Sequence, residues 1–498
     1  MTMGKTLKSL AEALQAAGLL LAQTGDGARL EVSDIQYDSR RVTKGTLFLC
    51  KGAHFSPAYL AAAVDRGACA YLSDRPYPEA GADLPFLQVK DIRQALAVTA
   101  NWFFDAPWRD LHMMGVTGTK GKSTTVTMVK AIFDAAAEES EAPLCGITSS
   151  VCNFDGVREE ASKLTTPENI DLYRHLARAR EAGLRHMVVE VSSQALKYHR
   201  VGGIRFDDAV FLNIAPDHIG PIEHPSFEDY FTSKLSIFDR ADRAFVNQES
   251  DELPRIMAAA RHCRQVVRFG LHEGDYIAED LRADANGLTF NLAFDGGSQP
   301  FHLPMHGRFN VENALAAIAL AHKAGISLAT CAKALAGIKM TGHMSYLQEA
   351  GITVVVDYAH NEISFRRVLE TVRQDFPNAP IWLLFGAPGD KAESRRPGMG
   401  RVASLGADHI ILTADDPATE EVAAINDSIC RAFEKKVPVE KIEDRATAVR
   451  HAVQTAPEGA VVLLLGKGYE TCQKIKGERV PYAGDEIVAK AALLARKV

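Results

Sequence analysis

The chain has 498 residues, 47% of them hydrophobic and 24% charged, with a formal net charge of −7. At ~100–200 residues per domain, this length predicts about three domains of ordinary globular composition. The acidic balance excludes a general electrostatic affinity for nucleic acid or anionic membrane, and no apolar run approaches the ~20 residues that span a bilayer.

Near the N-terminus, Leu7, Leu10 and Leu14 recur at helical spacing, with Glu12 interrupting the apolar run. The pattern predicts an amphipathic surface helix, not a signal peptide. Eight cysteines stand at positions 50, 69, 145, 152, 263, 331, 430 and 472, with no CxxC pair. That spacing predicts reduced thiols in a cytoplasmic protein and no zinc site.

Residues 1–107 mix short strand-like runs ("LEVSDIQYD", "GTLFLC") with helical ones ("SPAYLAAAVDRGA"). They predict a small α/β domain, with "FFDAPWRD" as the linker out of it. Residues 108–340 open with a strand from His112 to Val116, a Gly-rich loop and a helix from about Lys122. The strand-like runs "HMVVEV", "DDAVFLNI", "RAFVN" and "QVVRFG" follow, mostly separated by helical stretches, so a mainly parallel sheet is expected. Tyr276 to Pro304 alternates around turn signals and reads as an antiparallel extension. Residues 341–498 carry four more strands, "TVVVDYA", "IWLLFGA", "DHIILTADD" and "AVVLLLGKG", each ending in a polar or Gly-rich loop. Ligands bind at such carboxyl ends in open parallel sheets.

The loop "GVTGTKGKSTT" from Gly115 holds the first chemical signal. Its glycines let backbone N–H groups close around phosphate oxygens at a helix N-terminus. Lys122 is placed for β- and γ-phosphates, and Ser123 for Mg²⁺. The usual first glycine falls on Val116, with glycines at 115 and 118 instead. Such a loop implies a nucleotide without separating kinase, motor, switch or ligase. Glu190 ends a later strand, where a carboxylate is a natural metal ligand. Asn213, Asp217 and His218 follow another strand; His218 is a metal ligand, an acid/base or a core group. Lys234, on a helix with Phe231, Leu235 and Phe238 on one face, reads in isolation as a surface charge.

These runs together resemble the Mur ligase family. The matching segments are "DSR" at Asp38, "GVTGTKGKST", "TTP" at Thr165, "EVSSQAL" at Glu190, "DH" at Asp217, "YFTSK" ending at Lys234, "GRFNVENALAA" from Gly307, "DYAH" at Asp357, "RRPGMG" from Arg395 and "GKGYE" from Gly466. Within the family the chain is most similar to the tripeptide synthetases, which add the third residue to UDP-MurNAc-L-Ala-D-Glu. The resemblance implies three α/β domains: an N-terminal UDP-precursor-binding domain (1–107), a central ATPase (108–340) and a C-terminal Rossmann-like domain for the amino acid (341–498).

It also implies a monomeric enzyme using ATP and Mg²⁺, with Lys234 carrying a CO₂-derived carbamate. Ser123, Glu190, His218 and that carbamate are the implied metal groups, and Lys122 is implied in catalysis with them. Gly118, Thr119, Lys120, Gly121, Lys122, Ser123 and Thr124 are the implied phosphate contacts, with Asn310 and Asp357 for adenine and ribose. Ser39, Thr165, Thr166, Ser192 and Arg200 are implied contacts to the UDP precursor. Lys391, Asp415, Asp416, Pro417, Ala418, Gly466 and Glu470 are implied contacts to the amino acid. The chain departs from the family at His343, where an arginine is usual, and at Gly220, which replaces an acid.

The loop "DDPA" at Asp415–Ala418 bears on specificity. In relatives that add meso-diaminopimelate it reads DNPR, and the arginine pairs with the substrate's distal carboxylate. Ala418 removes that pair, and Asp415 or Asp416 suits the distal ammonium of L-lysine. Ornithine, one methylene shorter, differs by only ~1–3 kcal/mol. The other readings are meso-diaminopimelate addition, a folylpolyglutamate-synthetase-like ligase, and a nucleotide-regulated binding protein without ligase activity.

Overall fold

The computed structural model describes residues 5–25, 29–52, 55–81, 84–162, 164–217, 219–220, 223–284, 287–338, 345–468 and 470–496. Each of the three expected α/β segments carries its own sheet. The chain separates into two compact units. One comprises Met1–Glu279, Asn291–Phe301 and Glu312–Leu335; the other Asp280–Phe290, His302–Val311 and Ala336–Val498. The expected boundary at 340/341 lies outside the described residues, as does His343.

The helix Leu7–Ala16 forms where the leucine spacing predicts it. The Thr6 hydroxyl accepts from the Ser9 N–H, which satisfies an otherwise orphaned donor. Leu7, Leu10 and Leu14 are fully buried, each contributing about 1.5–3 kcal/mol. The first sheet runs in the order Leu20–Thr24, Phe86–Val89, Ala68–Ser73, Thr46–Leu49, Asp34–Gln36. Only the edge pair of Leu20–Thr24 with Phe86–Val89 is antiparallel. The segment expected as a linker is a folded joint. Its rings Phe103, Phe104 and Trp108 pack on the core, and the Trp108 indole N–H donates to Asn101 Oδ1 at 2.8 Å. Burying three aromatic rings outweighs the freedom a linker would keep.

The large sheet places the strand His112–Thr117 between His186–Glu190 and Phe206–Phe211, parallel to both. Val116 is registered with Glu190, and Thr117 with Phe211. The phosphate loop, Glu190 and the segment after Phe211 therefore leave the sheet side by side at its carboxyl edge. Ala241–Asn247 and Gln265–Gly270 continue the parallel order. The expected antiparallel extension is corrected at its first strand: Tyr276–Asp284 joins Gln265–Gly270 in parallel, through Phe269 opposite Tyr276 and Gly270 opposite Ile277. Asp275 bonds the Arg268 N–H and guanidinium at 2.8 and 2.9 Å, which pins the intervening loop and carries the chain sideways.

In the second unit the sheet order is Ser345–Glu349, Ile352–Asp357, Val461–Leu465, Ile381–Phe385, His409–Leu412, Val439–Lys441. All its pairs are parallel except the edge pair of Ser345–Glu349 with Ile352–Asp357. Ile352–Asp357 and Val461–Leu465 are buried along their whole length, the apolar continuity expected of strands covered on both faces. Among the described residues, no helix is long and apolar enough to cross a membrane.

Candidate active site

The phosphate loop closes between the strand ending at Thr117 and the helix Lys122–Ser140. Gly121 takes φ +86°, and a Cβ there would stand 2.2 Å from Asn313 Oδ1. Gly118 takes φ +154°, with Leu212 Cβ 2.9 Å from where its own Cβ would lie. Both glycines are needed for conformation and for room. Asn213 fixes the loop from outside: its Oδ1 accepts from the Lys120 N–H at 2.9 Å and its Nδ2 donates to the Lys120 carbonyl at 3.0 Å. The Thr119 hydroxyl oxygen accepts from the Ala215 N–H and from the Tyr230 hydroxyl, each at 3.0 Å. Lys120 pairs with Asp217 at 3.1 Å, and Thr124 is buried. Tyr230, one helical turn before Lys234, is a loop contact the sequence reading missed.

Lys122 Nζ donates to the carbonyls of Gly118 at 3.0 Å and Thr119 at 3.1 Å. Lys234, only 2% exposed, donates to the same Gly118 carbonyl at 2.8 Å. The surface-charge reading of Lys234 is thereby corrected, because its helix buries Tyr230, Phe231 and Lys234 together. Burial holds both amines below the usual lysine range; Lys120 adds to the effect on Lys122, and Lys122 to that on Lys234.

Ser123 Oγ donates to Glu190 Oε1 at 3.0 Å and shares a hydrogen bond with Ser150 Oγ at 2.8 Å. Glu190 Oε2 accepts from the Ser150 N–H at 2.8 Å. A hydroxyl and a buried carboxylate meeting beside a phosphate loop are the hard oxygen donors that suit Mg²⁺. His218 lies outside the described residues. Among the described residues, none comes within 4 Å of a Cβ built on Gly220.

The residues expected at the UDP precursor fall partly together. Thr166 Oγ1 donates to the Glu190 carbonyl at 2.7 Å and accepts from the Ser192 N–H at 3.0 Å. Arg200 donates to the Thr166 carbonyl at 3.3 Å and pairs with Glu168 at 3.1 Å. Thr165 is half-buried beside them. Ser39 opens the short helix Ser39–Arg41, capped by Asp38. Its neighbours Asp38 and Arg41 line a cavity of about 500 Å³ with Pro167, Glu168 and Arg174. Under Ser192, the buried His224 shares one hydrogen bond with Ser193 Oγ at 2.9 Å and another with Asp229 at 2.6 Å; Asp229 also pairs with Lys197.

In the second unit, Asn310 is buried at the start of the helix Phe309–Lys323 and donates to the His306 carbonyl at 2.7 Å. Asp357 ends its strand and accepts the Ala359 N–H at 2.7 Å. The loops expected at the amino acid interlock: the Gly389 N–H donates to the Asp416 carbonyl at 2.8 Å, and the Pro417 carbonyl would lie 1.9 Å from a Cβ on Gly389. Ala418 takes φ +51° and bridges Ile475. Lys391 is exposed on the neighbouring turn. Gly466, at φ +111°, faces Asp415, whose Oδ2 would lie 2.7 Å from an added Cβ.

The acids of this site already hold a cation. Lys467, fully buried, pairs with Glu470 at 2.6 Å, Asp416 at 2.8 Å and Asp415 at 3.9 Å. Burial alone would lower the Lys467 amine; the three carboxylates overcome it and hold it above its usual range. Burial raises Asp415, while Lys467 holds Asp416 low against its own burial. Sequence reasoning named Asp415, Asp416 and Glu470 and missed Lys467, which stands between Gly466 and Gly468 within the matching segment "GKGYE".

Comparison with known proteins gives this geometry a family. The Mur ligase middle domain matches residues 116–321, and the Mur ligase glutamate ligase domain matches residues 342–468. A UDP-N-acetylmuramoyl-L-alanyl-D-glutamate--L-lysine ligase of Enterococcus faecalis is 40% identical over 470 residues, covering 93% of this chain and 91% of that protein. A UDP-N-acetylmuramyl-tripeptide synthetase of Lactobacillus delbrueckii subsp. bulgaricus is 37% identical, covering 92% of this chain and 93% of that one. Among solved structures, a UDP-N-acetylmuramoyl-L-alanyl-D-glutamate--2,6-diaminopimelate ligase aligns with a TM-score of 0.68 at 25% identity over 99% of both chains. The chain belongs to the Mur ligase family, an enzyme family of ATP-dependent ligases.

Proposed function

We propose that this protein joins L-lysine to the D-Glu of UDP-MurNAc-L-Ala-D-Glu at the expense of ATP, a step in building peptidoglycan precursors. The observation that carries the reading is the near full-length likeness to an enzyme whose name specifies that reaction. Ala418 supports lysine over diaminopimelate: a methyl group stands where a distal carboxylate would need a guanidinium. Asp416 and Glu470 bring two carboxylates to one internal ammonium, and that surplus of negative charge suits a second, incoming one.

The chemistry follows from the need to activate a carboxylate. The D-Glu carboxylate oxygen attacks the γ-phosphorus of ATP, the bond to ADP breaks, and an acyl phosphate forms. The neutral amine of the amino acid then attacks the acyl carbon, phosphate leaves, and the amine gives up a proton. Gly118–Thr124 cradle the polyphosphate, with Lys122 set against its charge; Asn310 and Asp357 hold adenine and ribose. Ser123 and Glu190 would hold Mg²⁺, with His218 and Lys234 as further metal groups; when bound, the ion neutralises phosphate charge. Ser39, Thr165, Thr166, Ser192 and Arg200 hold the UDP precursor, for which the cavity beside Asp38 and Glu168 supplies space. Lys391, Asp415, Asp416, Pro417, Ala418, Gly466 and Glu470 hold the amino acid.

Lys234 is the carbamate site in this reading. Burial lowers the pKa of this amine; its unprotonated form adds CO₂ through a new N–C bond and releases one proton, giving an anionic oxygen donor. Phosphate release with ATP, Mg²⁺ and the UDP-dipeptide, run in parallel with L-lysine, meso-diaminopimelate and L-ornithine, tests the function. Stimulation chiefly by lysine is the expected result. Stimulation chiefly by diaminopimelate would overturn the specificity, and no response to any amino acid would overturn the ligase reading.

A further inference from the structure

One buried ion pair in the second unit lies outside every role assigned so far. Arg445 and Asp485 are both fully buried. Arg445 Nε and a terminal nitrogen donate to the two oxygens of Asp485 at 2.8 and 2.6 Å, a bidentate contact. The Tyr482 hydroxyl donates to Asp485 Oδ1 at 2.6 Å. The guanidinium also serves main chain: Nη1 donates to the Ala414 carbonyl at 3.2 Å, and Nη2, which already bonds Asp485, donates to the Leu465 carbonyl at 2.9 Å.

Those two carbonyls mark a place. Ala414 immediately precedes Asp415–Ala418, and Leu465 immediately precedes Gly466–Glu470. Their parent strands, His409–Leu412 and Val461–Leu465, are not neighbours, because Ile381–Phe385 runs between them. The sheet ladder therefore does not join the two loops directly; beside the ion pairs of Lys467 with Asp415 and Asp416, the planar side chain of Arg445 spans the gap at the base of both loops. The site is electrostatically demanding. Arg445 is the first residue of the helix Arg445–Thr455, where the helix dipole disfavours a cation. Asp485 is the first residue of the helix Asp485–Ala495, where the dipole favours an anion. A buried guanidinium at the wrong end of one helix is offset by a carboxylate at the right end of another.

We propose that Arg445, held by Asp485 and Tyr482, is a positioning residue that sets the spacing of the two loops receiving the incoming amino acid. The helix Asp485–Ala495, which lies beyond the matched family domains, thereby takes part in substrate recognition. The inference rests on the assignment of those loops to the amino acid under the proposed function.

Asp485→Asn keeps the shape and removes the charge; Tyr482→Phe keeps the ion pair and removes one donor; Arg445→Lys keeps the charge and loses the fork. In steady-state assays, Asp485→Asn and Arg445→Lys raise the KM for lysine about tenfold or more, while the KM values for ATP and the UDP-dipeptide stay within about twofold. Tyr482→Phe, the mildest change, gives a rise of about two- to threefold in the same constant. Hydrogen exchange, which needs no substrate, quickens in Asp415–Ala418 and Gly466–Glu470 together, with the phosphate loop unchanged. An unaltered lysine KM in Tyr482→Phe with unaltered exchange in both loops would overturn the proposal, as would an equal rise in all three KM values. A wild-type protein silent toward lysine and the UDP-dipeptide would instead overturn the functional reading, leaving hydrogen exchange to decide whether the clamp exists.

Discussion

Lys122 and Lys234 direct their ammonium nitrogens at one carbonyl oxygen, that of Gly118, from 3.0 and 2.8 Å. Burial lowers the pKa of both amines, and the charge of Lys122 further disfavours that of Lys234, so two positive charges side by side here carry a cost. A polyphosphate relieves it from one side. Converting the second amine to an anion relieves it from the other.

Lys234→Ala is therefore expected to lose roughly 10²-fold or more in ligase activity. Wild-type activity falls in CO₂-depleted buffer and returns with bicarbonate. Carbon-13 bicarbonate gives a carbamate resonance in the wild type that Lys234→Ala lacks. Full activity in the alanine variant would remove the carbamate from the mechanism.

Gly121→Ala places a methyl carbon 2.2 Å from Asn313 Oδ1 at a backbone φ of +86°. The strain and the displaced amide shift the loop, and a displacement near 1 Å costs about 10²-fold in rate. Nucleotide titration and phosphate release check this. Binding equal to wild type would show that the loop tolerates the shift.

Ala418→Arg restores a guanidinium to the loop Asp415–Ala418. A bidentate bond to a distal carboxylate contributes about 1.5–3 kcal/mol, so the ratio of diaminopimelate to lysine use rises about ten- to hundredfold. Competition between the two amino acids measures it. An unchanged ratio would show that position 418 does not face the substrate's distal end.

His186 packs its ring against Phe133 at 4.8 Å and His112 at 5.7 Å. Burial first, then His112 and Arg185, bring its pKa down to about 4. The unfolded chain binds this proton more readily, so the stabilisation is complete above about pH 6.5 and is lost as pH falls toward 4. His199, His224 and His322 shift in the same direction, again chiefly by burial. The melting temperature is expected to fall over that window, and His186→Gln to flatten part of the slope. An identical slope in the variant would place the effect elsewhere.

The phosphate loop was legible because glycine spacing, a preceding apolar strand and a following helix are all local. The parallel strands were legible for a similar reason: burial on both faces writes a continuous apolar run. Lys234 was legible only through family likeness, since no local pattern says that a helical lysine turns inward onto a carbonyl 116 positions earlier. Lys467 and Arg445 were illegible for the same physical reason. Asp416, one partner of Lys467, lies 51 positions away and Asp485, the partner of Arg445, lies 40 away, and a charged residue beside a glycine or at a helix start ordinarily reads as solvated. The segment around Trp108 misled because proline and a charge change mark a linker, whereas three-dimensional packing decides whether the chain rests there.

Ala418 has one further property. Its own N–H donates to the Lys474 carbonyl at 2.9 Å, and its carbonyl accepts the Lys476 N–H at 2.6 Å, next to the hairpin of Cys472–Ile475 and Glu478–Pro481. The main chain at this position is held by bonds that do not involve its side chain. A lineage can therefore exchange the residue here without rebuilding the loop around it, as one changes a bit in a fixed chuck. If Ala418 faces the amino acid as proposed, selection for a different cell-wall amino acid has a short mutational path, a single codon at a site already braced on both sides.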